Sequence, residues 1–234
     1  QYVKQLLTRQ VSKKRLTQQQ ADDTLKLLST SRDLASAVKN ADIIIEAIPE
    51  NLPMKLDLFK KLADLTKHEN TILGSNTSSI SITKLAAAAK GAESRVIGLH
   101  FFNPVPVLKG VEVVNALQTS EEVNAAASAF MKKMGKIVSI SEDSPGFLAN
   151  RVLAAMLNEA VGLLEAKVGT AHDIDNILKT GCSMPMGPLE LADMVGLDTM
   201  LAVAEVLVKE TGDPKYSPGF LLRKLVDAGY LGRK

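Results

Sequence analysis

The chain has 234 residues, 46% of them hydrophobic, and its 28 basic and 26 acidic side chains leave a net charge of +2. This length and composition provide a core for one large domain or two ordinary ones, and they predict a soluble globular protein. The near balance of charges and an aromatic content of 4% argue against a nucleic-acid platform. We therefore expect no nucleic acid as a partner. No apolar run approaches the roughly 20 residues of a membrane-spanning helix, so we expect no membrane as a partner either.

One cysteine, Cys182, occurs in the chain. It cannot form an internal disulfide or a metal cluster, so no metal site is predicted and a reducing compartment is favoured. We expect its side chain to be small and buried.

Residues 1–142 have the pattern of a helical hairpin followed by an α/β layer. Apolar positions at helical spacing predict two helices within residues 1–29, with Thr17 as an N-cap. A short helix precedes residue 43, and the run Ile43–Ile48 indicates a strand buried on both faces of a parallel sheet. Strands then alternate with helices, which predicts right-handed crossovers. The further strands are 71–76, 96–102, 111–116 and 137–141, and the helices are 53–67, 80–90 and 120–135.

Polar residues cluster at the predicted ends of these strands. In parallel sheets the ligand crevice lies beyond the carboxyl ends of the strands. The residues that fall there are Glu50, Asn76, Ser78, His100 and Asn103. The sequence therefore predicts a binding site at this edge of the sheet.

Residues 143–234 have helical periodicity and no strand pattern. We predict helices over 146–167, 171–180, 187–210 and 217–228, with Thr170 as the N-cap of the second. The first of these is apolar around much of its circumference, which indicates burial in a core or against a second subunit. The sequence thus predicts a second, all-α domain.

His100 and Glu112 lie on two apolar segments joined by a turn rich in proline and glycine, so the two side chains can meet. A histidine exchanges protons near neutrality, and a carboxylate on its far nitrogen fixes the tautomer and stabilises the imidazolium. The alternative is a core histidine beside an unrelated surface glutamate. The other histidines, His68 and His172, are expected to be exposed.

Five motifs, in order and at characteristic spacing, resemble the 3-hydroxyacyl-CoA dehydrogenases, especially the 3-hydroxybutyryl-CoA type: ADIIIEAIPEN, SNTSSISIT, GLHFFNPVPVLKGVEVV, DSPGFLANR and PMGPLELADMVGLDT. The resemblance covers essentially the whole chain. It implies an incomplete Rossmann-like domain over 1–142 with a mostly parallel sheet, and an α-helical substrate and dimerisation domain over 143–234. It also implies a homodimer that interconverts 3-hydroxyacyl-CoA and 3-oxoacyl-CoA by hydride transfer with NAD, with short acyl chains favoured.

The resemblance also implies roles for five catalytic residues. His100 matches the catalytic histidine and Glu112 its partner. Ser78 and Asn103 match polar residues near the substrate hydroxyl and the nicotinamide, and Asn150 matches a further active-site asparagine. As alternatives, Ser78 could cap a helix, and the two asparagines could form turns or interdomain hydrogen bonds.

The cofactor-binding set implied by the resemblance is Glu50, Lys55, Ser78, Asn103 and Lys234. Glu50 and Lys55 match positions near the dinucleotide, and Lys234 matches a basic position near the cofactor. Glu50 could instead sit in the first turn of the following helix, where the helix dipole favours a negative charge.

One departure from the family is the absence of the Gly-x-Gly-x-x-Gly turn that holds the dinucleotide pyrophosphate. We expect these residues to be part of a longer enzyme and, by themselves, to bind NAD poorly. The alternatives are a truncated, non-catalytic dimeric relative, and a β-hydroxyacid dehydrogenase that acts on free acids. The compartment stays open between a bacterial cytoplasm and a mitochondrial or peroxisomal matrix.

Overall fold

The structure, a computed structural model, describes residues 2–66 and 70–233. His68, Lys234 and the end of the predicted helix 53–67 lie outside the described residues. The chain divides into two units, residues 1–41 and 42–234.

The first unit contains the predicted helical hairpin, α1 (Tyr2–Ser12) and α2 (Gln18–Lys26), and a short helix α3 (Leu34–Val38). A capping box starts α2. The Gln20 amide donates to Thr17 Oγ1 over 3.1 Å, and the Thr17 amide donates to Gln20 Oε1 over 2.9 Å. The hairpin and its N-cap are therefore confirmed, and local hydrogen bonds account for where α2 begins.

The second unit begins with a five-stranded sheet in the order β1-β2-β3-β4-β5. Every neighbouring pair is parallel except β3 and β4, which form an antiparallel hairpin. The strands are β1 (Ile43–Glu46), β2 (Ile72–Ser75), β3 (Val96–Phe101), β4 (Gly110–Asn115) and β5 (Ile137–Glu142), and the connecting helices are α4 (Leu52–Leu65), α5 (Ile82–Ala88) and α6 (Glu121–Lys133). This confirms the predicted mostly parallel sheet.

Apolar side chains from alternate strand positions pack against helices on both sheet faces. On one face β2, β3 and β4 pack against Ala127 and Met131 of α6. On the other, Gly98 of β3 leaves room for Ile82 of α5. A Cβ atom on Gly98 would lie 2.7 Å from Val114 Cβ and 3.0 Å from Ile82 Cδ1. The central strands are therefore buried.

The prediction for the first strand is wrong in two respects. β1 ends at Glu46 instead of residue 48, and it is only partly buried, with Ile45 37% exposed. Within the described sheet β1 is an edge strand that pairs only with β2, so its outer side lacks a packing partner.

In the part of the chain that the structure describes, five α-helices follow the sheet: α7 (Ala149–Glu165), α8 (Ala171–Gly181), α9 (Pro188–Val195), α10 (Leu197–Thr211) and α11 (Phe220–Asp227). Thr170 is the N-cap of α8, as predicted. The single helix predicted over 187–210 is wrong, because Gly196 has φ +99° and separates α9 from α10. Within the described residues, no helix is long and apolar enough to cross a membrane.

Two further expectations for this part are corrected. α7 begins at Ala149 instead of residue 146, because Gly146 and Phe147 adopt the left-handed conformation with φ +76° and +48°. Cys182 is exposed rather than buried, because it lies at the C-terminal end of α8, beyond its apolar face.

No side chain caps α7, α9, α10 or α11 from the helix's own N-cap position. At α7, α9 and α11, a carboxylate from a distant part of the chain accepts hydrogen bonds from the first amides. The Glu112 carboxylate accepts from the Leu148 and Ala149 amides. The Asp175 carboxylate accepts from the Leu189 and Glu190 amides, and the Glu165 carboxylate accepts from the Leu221 amide. These contacts tie the helices to one another and tie α7 to the sheet.

Replacing Gly98 by alanine should lower the free energy of unfolding by about 1–3 kcal/mol, because the new methyl group overlaps Val114 and Ile82. The matched control is Gly162→Ala in α7, where a Cβ meets no atom within 4 Å. Removing a helical glycine there should raise stability by about 0.5–1 kcal/mol. Urea unfolding measures both, and a Gly98→Ala protein at least as stable as Gly162→Ala would contradict this packing.

Candidate active site

His100 and Glu112 face each other across the β3–β4 hairpin. They are directly paired in the strand register, and His100 Nδ1 lies 2.6 Å from Glu112 Oε2. Both residues are buried, with exposed fractions of 4% and 3%. The antiparallel register therefore brings together the two residues that the sequence had suggested as a pair.

The second carboxylate oxygen of Glu112 contacts the start of α7. Oε1 accepts the Leu148 amide over 2.9 Å and the Ala149 amide over 2.8 Å. Burial alone would raise the pKa of Glu112, but the hydrogen bonds from His100 and from these amides hold that pKa below its ordinary value of 4.5. Glu112 is therefore an ionised acceptor at neutral pH.

This ionised carboxylate decides which imidazole nitrogen carries the proton. A carboxylate only accepts, so Nδ1 is the donor and the neutral ring keeps a lone pair on Nε2. Ser78 Oγ lies 3.0 Å from Nε2. The nitrogen that can take up a proton therefore faces the carboxyl edge of the sheet.

Two phenylalanines flank the imidazole. The ring centroid of His100 lies 4.8 Å from that of Phe102 and 5.7 Å from that of Phe147. Phe147 is buried and has a left-handed backbone. Sequence reasoning missed both residues as parts of the site, although each lies in a motif of the family. Their contact with His100 depends on tertiary packing, which the spacing of residues in the sequence does not indicate.

Ser78 is exposed in the turn that follows β2, and it does not cap α5. Ser81 is the N-cap of that helix, accepting the Lys84 amide over 3.2 Å. The alternative reading of Ser78 as a helix cap is therefore wrong. Asn150 Nδ2 donates to the Ser78 carbonyl over 3.2 Å, so α7 contacts this turn directly.

Two asparagines follow the ends of β2 and β3. Asn76 Oδ1 accepts the Phe101 amide over 2.9 Å and ties the two strand ends together. Asn103 is exposed in the β3–β4 loop, just beyond His100. Both residues lie at the predicted edge of the sheet.

Glu50 precedes α4, whose N-cap is Asn51, so the alternative placement of Glu50 in the first helical turn is wrong. Its Oε1 atom accepts from the Thr77 hydroxyl, from the Ser78 and Ser79 amides and from the Ser79 hydroxyl. Burial alone would raise the pKa of Glu50, but the Thr77 and Ser79 hydrogen bonds and the nearby Lys55 charge lower it. Glu50 therefore holds the turn that carries Ser78.

Lys55 lies beside Glu50, with Nζ 3.3 Å from Glu50 Oε2, and is only 1% exposed. Its ammonium forms an ion pair with buried Glu46 over 2.6 Å. Sequence reasoning missed Glu46. The available signal was a charged residue that directly follows the apolar run Ile43–Ile45. Lys234, the remaining predicted cofactor residue, lies outside the described residues.

Comparison with known proteins identifies the family. The model described as "3-hydroxyacyl-CoA dehydrogenase, NAD binding domain" matches residues 1–144, and "3-hydroxyacyl-CoA dehydrogenase, C-terminal domain" matches residues 146–234. The chain belongs to the 3-hydroxyacyl-CoA dehydrogenase family. The family and the NAD cofactor predicted from the sequence motifs are thereby confirmed.

The names of individual relatives agree with this family assignment. The chain is 47% identical over 232 residues to a probable 3-hydroxybutyryl-CoA dehydrogenase of Bacillus subtilis, covering 99% of this chain and 80% of the relative. It is 42% identical to the human mitochondrial hydroxyacyl-coenzyme A dehydrogenase, covering 91% and 68%. The solved structure of (S)-3-hydroxybutyryl-CoA dehydrogenase PaaH1 from Ralstonia eutropha has a TM-score of 0.93 at 47% identity, covering 98% and 80%. The predicted Rossmann-like and helical architecture is confirmed.

The residues present fit NAD at the nicotinamide end. Glu50, Ser78 and Asn103 are exposed polar residues that follow β1, β2 and β3, and Ser78 Oγ lies 3.0 Å from His100 Nε2. A nicotinamide and its ribose carry an amide and hydroxyl groups, which such side chains can bind. This donor set suits the part of the dinucleotide where the dehydrogenase performs its chemistry.

Glu112 should make the stability of this dehydrogenase depend on acid pH. Its pKa is lower in the folded state, so its stabilisation is complete above about pH 4.5 and disappears as the pH falls through the folded value. Glu112→Gln should flatten the decline of the unfolding free energy below pH 4.5 and cost about 1–3 kcal/mol at neutral pH. Urea unfolding at a series of pH values measures both, and an unchanged acid slope would contradict the prediction.

Proposed function

We propose that this dehydrogenase acts on short-chain substrates, interconverting 3-hydroxybutyryl-CoA and acetoacetyl-CoA with a His100–Glu112 pair as the acid and base. The observation that carries the proposal is the buried imidazole, with Nδ1 bound to an ionised carboxylate and Nε2 directed to the open edge of the sheet. The names of the B. subtilis and R. eutropha relatives support the choice of substrate.

In the oxidative direction, His100 Nε2 takes the proton of the C3 hydroxyl, and the C3–O bond becomes a carbonyl. NAD, when bound, supplies the redox chemistry by accepting the hydride from C3. The ionised Glu112 stabilises the imidazolium that forms, and the Leu148 and Ala149 amides hold Glu112 in place. In the reverse direction, the imidazolium returns the proton to the C3 oxygen.

The polar groups around His100 have orienting roles in this mechanism. Ser78 and Asn103 hold the substrate oxygen and the carbonyl groups in line, and Asn150 supports the Ser78 turn from α7. Glu50, Ser78 and Asn103 are the groups that would hold the nicotinamide end of the cofactor. Phe102 and Phe147 keep water from the sides of the imidazole, which strengthens its interaction with Glu112.

We also propose a division into an NAD-binding domain over residues 1–142 and a substrate and dimerisation domain over 143–234. The two family models support it, because one ends at residue 144 and the other begins at 146. An apolar groove of about 540 Å³ between α7 and α8 supports a homodimer through the helical domain. Its apolar lining includes Met156, Leu163, Val168, Ile174 and Ile177.

The catalytic assignment predicts that His100→Gln lowers kcat by at least about 100-fold, with little change in KM, because the proton acceptor is lost. The measurement is NADH oxidation with acetoacetyl-CoA, using the enzyme expressed from its complete gene. His172→Gln, which removes an exposed imidazole on α8, is the control and should keep near-normal turnover. A His100→Gln enzyme with comparable turnover would refute the assignment.

The homodimer predicts that a charge in the apolar groove weakens association. Ile177 is 61% exposed in the single chain, so Ile177→Asp should leave the subunit folded and raise the dimer dissociation constant at least about 10-fold. Asn176→Asp, a change at an exposed neighbour outside the groove lining, is the control. Sedimentation velocity over a concentration series distinguishes the two. Equal association of both variants would place the dimer contact elsewhere.

A further inference from the structure

The segment 144–147 connects β5 to α7 and contains two consecutive residues in the left-handed conformation. Gly146 has φ +76° and Phe147 has φ +48°. This conformation is unfavourable for a residue with a Cβ atom, so Phe147 keeps it only where surrounding contacts fix it. The segment therefore depends on the residues that hold it in place.

The conformation of this segment determines two sets of contacts with the catalytic pair. The ring centroid of Phe147 lies 5.7 Å from that of His100. The next two amides, of Leu148 and Ala149, donate to Glu112 over 2.9 Å and 2.8 Å. A residue that holds the segment thus acts on the imidazole and on its carboxylate partner.

Arg151, in the first turn of α7, holds this segment with both its side chain and its backbone. Its Nη1 atom donates to Ser144 Oγ over 2.9 Å, and its amide donates to the Gly146 carbonyl over 3.1 Å. The Phe147 amide donates to the Ser144 carbonyl over 2.9 Å. The guanidinium therefore binds the same residue whose carbonyl closes the turn at Phe147.

A buried tyrosine fixes the guanidinium from another direction. Arg151 Nε donates to Tyr216 Oη over 3.1 Å, and Tyr216 is 2% exposed. Asn158, further along α7, donates to the Ser217 carbonyl over 2.9 Å, which ties the short 3₁₀ helix Pro214–Tyr216 to α7. Because a guanidinium is planar and its donors point in fixed directions, two acceptors set its orientation.

We propose that Arg151 is a positioning residue of the active site. Its guanidinium holds the left-handed segment 144–147 relative to buried Tyr216. The segment, held in this way, keeps Phe147 against the imidazole and the first amides of α7 on Glu112. This inference rests on the proposed function, because Arg151 acts on catalysis only through the catalytic pair.

Kinetic measurements on the enzyme expressed from its complete gene test the proposal. Arg151→Met keeps an apolar stem but removes the guanidinium, and it should lower kcat for acetoacetyl-CoA about 10-fold. The KM for acetoacetyl-CoA and the dissociation constant of NADH should stay within about 2-fold, because the guanidinium contacts neither ligand. Arg223→Met, at an exposed arginine of α11, is the control and should change none of these quantities.

The paired variant Ser144→Ala with Tyr216→Phe keeps the arginine and its charge but removes both side-chain acceptors. It should lower kcat as much as Arg151→Met does, and it tests the proposal even if Arg151→Met does not fold. Adding Arg151→Met to the pair should lower kcat by less than about 2-fold further, because the same contacts are already lost. If Arg151 contacted the substrate instead, Arg151→Met would raise KM and the paired variant would keep its full kcat. That outcome would overturn the proposal.

Amide hydrogen exchange supplies a measurement that does not depend on activity. The Leu148 and Ala149 amides donate to Glu112, so both should exchange about 10-fold faster in the paired variant than in the unsubstituted enzyme. Unchanged exchange at these two amides would contradict the positioning role. If the unsubstituted enzyme does not turn over acetoacetyl-CoA, the proposed function fails, and this exchange measurement alone decides whether Arg151 holds the segment.

The start of α9 provides an internal control for the exchange measurement. The Leu189 and Glu190 amides donate to the Asp175 carboxylate, which forms the same kind of cap without any contact to Arg151. Their exchange should be unchanged in the paired variant. Equally faster exchange at both helix starts would mean a general loss of stability, and the specific role of Arg151 would be refuted.

Discussion

The carboxylate of Glu112 is the contact on which the active site depends. One oxygen binds the His100 imidazole and the other binds the first amides of α7. The same group therefore sets the tautomer of the histidine and attaches the helical part to the sheet. Because an ionised carboxylate satisfies all three donors at once, its burial costs less than that of an isolated charge. One buried charge, that of Glu112, therefore both contacts the imidazole and holds α7 on the sheet.

Carboxylates that are distant in the sequence cap three helices of the helical part. The N-cap residues of α7, α9 and α11 are Leu148, Gly187 and Gly219, none of which offers a capping side chain. The first amides of a helix need acceptors, and the helix dipole favours a negative charge there. Each helix obtains its acceptor from another element, so the caps also act as tertiary links. At α7 the carboxylate that caps the helix is also the one that binds the His100 imidazole.

A second group of buried charges lies at the ends of β1 and β2. Glu46 and Lys55 are enclosed, while Glu50 is partly exposed and contacts the turn that carries Ser78. Polar groups in such surroundings interact strongly because water does not compete with them. Glu46 and Lys55 are therefore enclosed at this edge of the sheet, whereas Ser78, Asn103 and Glu50 are exposed there.

The sequence by itself determined the features that depend on local periodicity and on short motifs. Alternating apolar runs predicted the sheet and its crossovers, Thr17 and Thr170 were recognisable caps, and the turn between β3 and β4 indicated that His100 could meet Glu112. The ordered motifs predicted the family and its cofactor. These signals are local because they depend on backbone propensity, side-chain alternation and turn residues.

Tertiary structure decided the rest, because exposure and the choice of hydrogen-bond partner depend on segments that are distant in the sequence. The edge position of β1 left Ile45 exposed, and packing placed Phe147 in a left-handed conformation against His100. Ser78 and Ser81 are similar in sequence context, yet one contacts His100 and the other caps α5. The enclosure of Lys55 required Glu46 and Glu50 to converge on it, which no spacing of residues could indicate.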